Sequence, residues 1–87
     1  MRVLYRHRAL LDLRELEAWY RERSPDAYDK VYADLVETID ILRMFPLAFR
    51  AEGQSRIATS AKFRYSITYL VFDDRVEVTG VYRHQNR

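Results

Sequence analysis

The two prolines of this 87-residue chain, Pro25 and Pro46, divide its first half into two helical segments. Proline is tolerated at the first position of a helix but interrupts one further along, so Pro25 can begin a helix and Pro46 stops it. Asp26 then lies favourably at the positive end of the helix dipole. The sequence therefore predicts two antiparallel helices joined by a short loop, over residues 8–22 and 25–44.

Both segments carry apolar residues at the spacing of one helix face. Steps of three and four residues place a single stripe on each segment, and Trp19 and Leu10 widen the first stripe. The stripes are Ala9, Leu13, Leu16 and Tyr20 in the first segment and Tyr28, Val31, Leu35, Ile39 and Leu42 in the second. We expect the helical tyrosines Tyr20, Tyr28 and Tyr32 to contact a sheet.

The second half of the chain has the two-residue period of β-strands. Between residues 63 and 72 the apolar side chains of Tyr65, Ile67 and Tyr69 face one way and their neighbours face the other. The predicted strands span residues 2–5, 56–58, 63–72 and 76–82, with a turn at 73–75 and a loop over 47–55. The predicted fold is α+β, with a short N-terminal strand, a two-helix antiparallel hairpin and a three-stranded antiparallel meander, the helices packed on one face of the sheet.

Length and composition are those of one globular domain over residues 1–87. No apolar run approaches the ~20 residues needed to cross a bilayer, and the N-terminus lacks the apolar stretch of a signal peptide, so we expect a soluble cytoplasmic protein. The chain has no cysteine, which excludes thiolate metal sites and a cysteine nucleophile. Its first half is mildly acidic and its second half basic, which suits an acidic partner such as nucleic acid or an acidic peptide segment.

Several patterns, in order along the chain, resemble those of the RelE/ParE toxins of type II toxin–antitoxin systems, and ParE-like members most closely. The first helix is similar in Ala9-x-x-Asp12-Leu13-x-x-Leu16-x-x-Trp19-Tyr20, and Ser24-Pro25 is followed by a helix ending in Leu42-x-x-x-Pro46. The hairpin Tyr65-x-Ile67-x-Tyr69-x-Val71, with Asp73-Asp74 and Val76-x-Val78, resembles their central hairpin. The ending Val81-Tyr82-Arg83-His84-Gln85-Asn86-Arg87 resembles their His-x-x-Arg signature. Together these patterns cover nearly the whole chain.

The resemblance implies a toxin that a cognate antitoxin neutralises by wrapping its C-terminal segment around it, without a cofactor. Two toxic activities share the fold, because RelE-like members cut messenger RNA on the ribosome whereas ParE-like members poison DNA gyrase. Fold by itself does not choose between them. A degenerate member that binds antitoxin without being toxic is a third alternative.

Metal-free RNA cleavage needs groups that activate the 2′-hydroxyl, stabilise the phosphate and protonate the leaving oxygen. The resemblance implies that RelE-like nucleases place a key arginine directly after the first tyrosine of the hairpin strand, where this chain has Ser66. A serine hydroxyl does not supply a fixed positive charge. Arg64 lies roughly 7 Å from this position along the strand. Arg56 occupies nearly the position at which the resemblance places a strand lysine of the nucleases. The sequence therefore favours a binding toxin over an enzyme.

His84 is the second candidate group for catalysis, because histidine titrates near neutral pH. With Arg64, Arg56 and Arg87 it completes the catalytic set that RNA cleavage would use. The alternative is a histidine that packs or caps at the strand end, as ParE-like toxins share it without known nuclease chemistry. His7 is expected to be a surface residue, and two lone histidines do not predict a metal site.

The remaining site predictions concern binding surfaces. Target or nucleic-acid contacts are predicted at Arg56, Lys62, Arg64, Arg83, His84 and Arg87, which lie on neighbouring strands or at their ends; the alternative is a solvated sheet edge. Antitoxin contacts are predicted at Trp19, Leu70 and Phe72, on an exposed apolar patch. The leading hypothesis is a toxin that binds DNA gyrase, and the alternative is a RelE-like ribonuclease acting on ribosome-bound messenger RNA.

Overall fold

Two helices and five strands make up residues 1–84, the part of the chain that the computed structural model describes. In chain order the elements are β1 (Arg2–Tyr5), α1 (His7–Arg23), α2 (Pro25–Met44), β2 (Arg50–Glu52), β3 (Ser55–Thr59), β4 (Tyr65–Val71) and β5 (Arg75–Arg83). Pro25 occupies the first turn of α2, with Asp26 beside it. Both predicted helices and the α+β class are confirmed, and neither helix is long and apolar enough to cross a membrane.

The strands form one sheet in the order β1-β5-β4-β3-β2, which is wider than the predicted meander. The meander β3-β4-β5 is its centre, and β1 adds an edge by pairing parallel to β5, with Val3 opposite Val76. A parallel pair needs a crossover connection, which the two helices provide between β1 and the later strands. Strand periodicity identifies β1 as a strand, but it does not reveal a partner more than seventy residues away.

The other edge strand, β2, lies inside the segment predicted as a loop, so that prediction is wrong over Arg50–Glu52. This strand pairs antiparallel with β3 through the two-residue turn Gly53-Gln54. Gly53 has a φ of 65°, a left-handed conformation that glycine adopts without steric cost. A glycine in a two-residue connection is the signal of a tight hairpin, but three exposed residues carry no strand pattern.

Both helices pack on the face of the sheet that carries Tyr65, Ile67 and Tyr69, each of them fully buried. Stripe residues of both helices, such as Leu16 and Val31, complete this core. The opposite face of β4, which bears Ser66, Thr68 and Leu70, is called the open face below. One stripe prediction is wrong, because Leu10, expected to widen the first stripe, is 45% exposed. Tyr32, expected to contact a sheet, is 56% exposed and lines a cavity together with Tyr5 of β1.

A buried carboxylate joins α1 to the edge of β5. Beyond Val78 that edge has no strand partner, because β1 ends there and the chain turns into α1. The amide of Val81 instead donates to Asp12 Oδ2 at 3.0 Å, and Asp12 Oδ1 pairs with Arg8 at 2.9 Å. The buried Asp12 side chain thus satisfies an amide that a strand would otherwise have to satisfy.

Candidate functional site

Four of the predicted basic contacts meet in an open cavity of about 490 Å³ at the end of the sheet where β4 begins and β5 ends. We call this cavity the basic pocket. It is lined by Trp19, Tyr20, Arg23, Lys62, Phe63, Arg64, Arg83 and His84. The strand pairing brings β4 and β5 together, since Tyr65 lies opposite Arg83 and the amide of His84 donates to the Arg64 carbonyl at 2.7 Å.

Two guanidinium groups of the basic pocket lie over the same indole ring. The guanidinium carbon of Arg23 is 3.7 Å from the centroid of Trp19, and that of Arg83 is 4.0 Å from it. Arg23 also donates to the Trp19 carbonyl oxygen at 3.0 Å, one of the carbonyls at the C-terminal end of α1. Trp19 therefore fixes two positive charges by cation–π contact.

The basic pocket differs from the rest of the described chain in how its cations are paired. Elsewhere most arginines have a carboxylate partner: Arg2 with Asp74, Arg6 with Glu77, Arg8 with Asp12, Arg21 with Glu17, Arg43 with Asp40, Arg50 with Glu52, and Arg75 with Asp74 and Glu77. Within residues 1–84, Lys62, Arg64 and Arg83 have no such partner, whereas Arg23 lies 3.7 Å from Glu22, both of them exposed. Three cations without a carboxylate partner thus lie side by side in the basic pocket.

The hydroxyl of Ser66 occupies the open face at the position where the family resemblance implies a nuclease arginine. Its Oγ lies 2.6 Å from His84 Nε2 and 3.0 Å from Thr59 Oγ1, while the Ser66 residue itself is only 6% exposed. The exposed imidazole of His84 is thereby attached to the strand beside it. At this position the open face thus carries a hydroxyl that is hydrogen-bonded on both sides, in place of a fixed positive charge.

Arg56 does not join the basic pocket. Its partner across β3 and β4 is Tyr69, so it points toward the helix side and lies several residues from the sheet end that holds the pocket. Its Nη1 donates to the carbonyl of Phe49 at 2.7 Å and to that of Leu47 at 3.4 Å. The guanidinium thus supports the loop after α2, and the expectation of one patch shared by all the basic residues is wrong for Arg56.

A polar cluster behind the pocket fixes the chain segment that carries Lys62. Asp34 Oδ2 accepts from Tyr65 at 2.5 Å and from Ser60 at 2.9 Å, and Ser60 Oγ in turn accepts from the Phe63 amide at 2.9 Å. Burial, and then the hydrogen bond to Asp34, raise the pKa of Tyr65 well above its ordinary value of 10.0. The phenol therefore stays protonated and keeps donating.

An apolar groove lies on the other side of the helical hairpin, between α1, α2 and the end of β1. It has a volume of about 310 Å³ and is lined mainly by aromatic and aliphatic side chains, including Tyr5, Leu13, Tyr32 and Val36. Tyr32 and Val36 are 56% and 45% exposed. A contiguous apolar surface of this kind is typical of a place where another protein binds.

The predicted antitoxin contacts have different surroundings. Leu70 and Phe72 are half-buried at the far end of β4, with the guanidinium of Arg75 4.2 Å from the Phe72 ring. Trp19 is half-buried under its two arginines. All three stay predictions, and more exposed apolar side chains lie in the groove and in the loop after α2, at Phe45 and Leu47.

The predicted contact Arg87 lies outside the described residues. Within residues 1–84 there is no group of three or more His, Cys, Asp or Glu side chains that could hold a metal ion. His7 is exposed at the start of α1, as expected for a surface residue.

Sequence reasoning missed Arg23 and Asp34 as parts of this region. Arg23 follows Trp19 by one helical turn, a spacing at which side chains meet, so the contact could have been found from the sequence. Asp34 has no comparable signal, because helical spacing does not show that Tyr65 and Ser60 reach it from the sheet and the segment before β4.

The geometry defines a small α+β protein with a basic pocket at one sheet end and an apolar groove beside its helical hairpin. The sequence by itself matches no protein-family model and no curated protein. Its fold is similar to that of solved toxin–antitoxin proteins. A chain of the chromosomal ParDE toxin–antitoxin system from P. aeruginosa has a TM-score of 0.84 and 20% sequence identity, over 98% of this chain and 97% of that one.

The isolated E. coli RelE toxin has a TM-score of 0.60 and 22% identity, over 99% of this chain and 86% of that one. The chain therefore shares the fold of these two proteins along nearly its whole length, and it is more similar in structure to the ParDE chain than to RelE. At these identities the likeness establishes the fold.

Proposed function

We propose that this chain is the toxin of a type II toxin–antitoxin pair and that it acts in the cytoplasm by binding DNA gyrase. The proposal of a toxin rests on the fold, because the similarity to a chain of a ParDE toxin–antitoxin system extends over 98% of this chain. Fold similarity is an argument by analogy, so the choice of target has to come from the site.

The main support for gyrase as the target is the environment of Ser66. RNA cleavage by this fold would need fixed positive charge on the open face to stabilise the phosphate. At the implied position the chain has a neutral hydroxyl that is engaged by His84 and Thr59. Arg56 on β3 could replace the missing positive charge, but its guanidinium donates to two backbone carbonyls. A toxin that binds its target without cleaving RNA fits these residues better.

A cognate antitoxin follows from the same proposal. The side chains of Tyr32 and Val36 expose the apolar groove to water. Apolar surface exposed in this way is typical of a site that binds another protein. An amphipathic segment of an antitoxin would cover it, and Leu70, Phe72 and Trp19 remain proposed contacts along the path of such a segment. A neighbouring gene for a small protein with a DNA-binding N-terminus and an acidic, amphipathic C-terminus is the expected source.

The direct test is DNA supercoiling by purified gyrase with the protein added, with and without ATP. We expect inhibition together with trapped cleaved DNA. A matched control is the gyrase-free reaction, in which the protein alone should leave the plasmid intact. No effect on gyrase at high excess of the protein would contradict the proposal.

RNA cleavage on the ribosome is the second candidate, because one contact favours it. His84 and Arg64 are joined by a backbone hydrogen bond of 2.7 Å, so a base and a cation are adjacent at the sheet end. Translation reactions with a defined messenger RNA distinguish the two functions, since cleavage would be abolished in Arg64→Ala and His84→Ala. A chain that inhibits neither gyrase nor translation but binds its antitoxin would be a member without toxicity.

A further inference from the structure

The basic pocket contains a feature that the proposed function leaves unexplained, namely two arginines in contact with one indole. Arg23 and Arg83 come from α1 and β5, and their guanidinium carbons are separated by at most the sum of 3.7 and 4.0 Å. Two like charges held this close repel each other, and the aromatic ring offsets only part of that cost. An anion within reach of both guanidinium groups would offset the rest.

The two groups keep hydrogen-bond donors for such an anion. A cation–π contact does not use up the N–H groups of a guanidinium, and five donors are available in each. Arg23 uses one of them on the Trp19 carbonyl. Arg83 has no carboxylate or carbonyl acceptor for its guanidinium within residues 1–84. Bidentate recognition of a phosphate is the chemistry that this arrangement fits.

Lys62 and Arg64 extend the positive charge away from this pair. Both are exposed and without a carboxylate partner in the described chain, and they line the same cavity. They are two residues apart, and Lys62 lies in the segment fixed by Ser60 and Asp34. A ligand that satisfies all four cations must itself carry several closely spaced negative charges.

We propose that the basic pocket binds the phosphodiester backbone of nucleic acid, with Arg23 and Arg83 over Trp19 as its centre. The indole is covered by guanidinium groups, so it is not free to stack on a base, and recognition is therefore of the backbone and independent of sequence. The pocket contributes affinity for nucleic acid whether the chain's target is gyrase on DNA or a ribosome, and it does not depend on the proposed function.

Trp19 is the only tryptophan of the chain, which gives the proposal a direct reporter. A single-stranded oligonucleotide of about 20 nucleotides and mixed sequence is titrated into the protein while Trp19 emission is recorded, at several salt concentrations between about 50 and 200 mM. Fluorescence anisotropy of the labelled oligonucleotide gives the affinities of wild type, Arg23→Gln, Arg83→Gln and Arg14→Gln. Arg14 is the matched control, because it is an exposed arginine of α1 that does not line the pocket.

We expect Arg23→Gln and Arg83→Gln each to weaken binding about tenfold and to reduce the salt slope by about 0.7, the value for one lost contact to a single strand. Arg14→Gln should stay within about twofold of wild type, as a remote charge is screened at these salt concentrations. The Trp19 emission should change on binding in wild type and Arg14→Gln alike.

Three results would overturn the proposal. An equal loss in Arg14→Gln would mean that net charge alone attracts the strand. A glutamate-rich peptide that binds with the same dependence on Arg23 and Arg83, while the oligonucleotide does not bind, would make the pocket a site for an acidic protein segment. Absence of oligonucleotide binding at the lowest salt would remove the site altogether.

Discussion

The Nε2 atom of His84 lies 2.6 Å from the Oγ atom of Ser66, so the strand-end imidazole is hydrogen-bonded to the neighbouring strand. The same hydroxyl is 3.0 Å from Thr59 Oγ1, which extends the contact across three strands. A general acid or base must reach its substrate through the nitrogen that transfers the proton. In this chain Ser66 engages Nε2, so we expect His84 to pack and to bind the target without transferring a proton.

Replacing His84 with alanine should therefore lower toxicity by less than about tenfold, whereas removal of a general acid or base typically costs 10²–10⁴-fold. Colony counts after induced expression, at matched protein levels, measure the effect. His84→Gln is the control, because its amide can restore a hydrogen bond to Ser66. A loss of a hundredfold or more in both variants would favour catalysis by the imidazole.

Replacing Asp12 with alanine should destabilise the fold by about 1–3 kcal/mol, because the buried amide of Val81 loses its acceptor. Asp12→Asn keeps a carbonyl oxygen at the same place and should cost less. Arg8→Ala should cost under about 1 kcal/mol, since the Arg8 side chain is 66% exposed and its ion pair is screened. Urea denaturation of the three variants gives the order, and equal losses in all three would contradict it.

Arg56→Ala and Arg83→Gln should separate stability from binding. Arg56 donates to the Phe49 and Leu47 carbonyls, so its loss should lower the free energy of unfolding by about 1.5–3 kcal/mol, the range for a hydrogen bond to a charged group. The affinity of the folded Arg56→Ala protein for an oligonucleotide should change little. Arg83→Gln should show the reverse, and a large loss of affinity in Arg56→Ala would return Arg56 to the binding surface.

Alkaline pH should destabilise the protein through its buried tyrosines. Burial raises the pKa of Tyr65, Tyr69 and Tyr28 above the ordinary value of 10.0 in the folded chain. Between the unfolded and the folded pKa the unfolded chain binds fewer protons, so the free energy of unfolding falls as pH rises above 10. Each such group contributes up to about 1.4 kcal/mol per pH unit.

Denaturant titrations at neutral pH and at several values above pH 10 measure this loss. Tyr65→Phe should show a shallower decline than wild type, because it removes the phenol that donates to Asp34. The same decline in both proteins would mean that Tyr65 does not contribute to it.

Val36→Glu should weaken binding of the cognate antitoxin at least tenfold, because it places a charge in the apolar groove beside Tyr32. Stability should change little, since Val36 is 45% exposed. Lys30→Glu is the matched control, as it lies on the same helix and does not line the groove. Calorimetry with the purified antitoxin gives both affinities, and unchanged binding by Val36→Glu would place the antitoxin elsewhere.

The sequence by itself determined the elements whose signals are local. Pro25 and Pro46 bound the second helix because proline restricts the backbone at its own position, and the alternation from Tyr65 to Val71 identifies the central strand because side-chain direction in a strand repeats every two residues. The basic character of the second half is likewise a property of composition. These features need no knowledge of distant contacts.

Only the tertiary structure decided which residues meet. The parallel pairing of β1 with β5, the capping of the Val81 amide by Asp12 and the placement of Arg83 beside Arg23 over Trp19 all join residues at least sixty positions apart. It also shows that Arg56 lies apart from the basic pocket, because its side chain donates to a carbonyl of the loop after α2. Such contacts depend on how helices pack on the sheet and on strand register, and local periodicity carries no record of either.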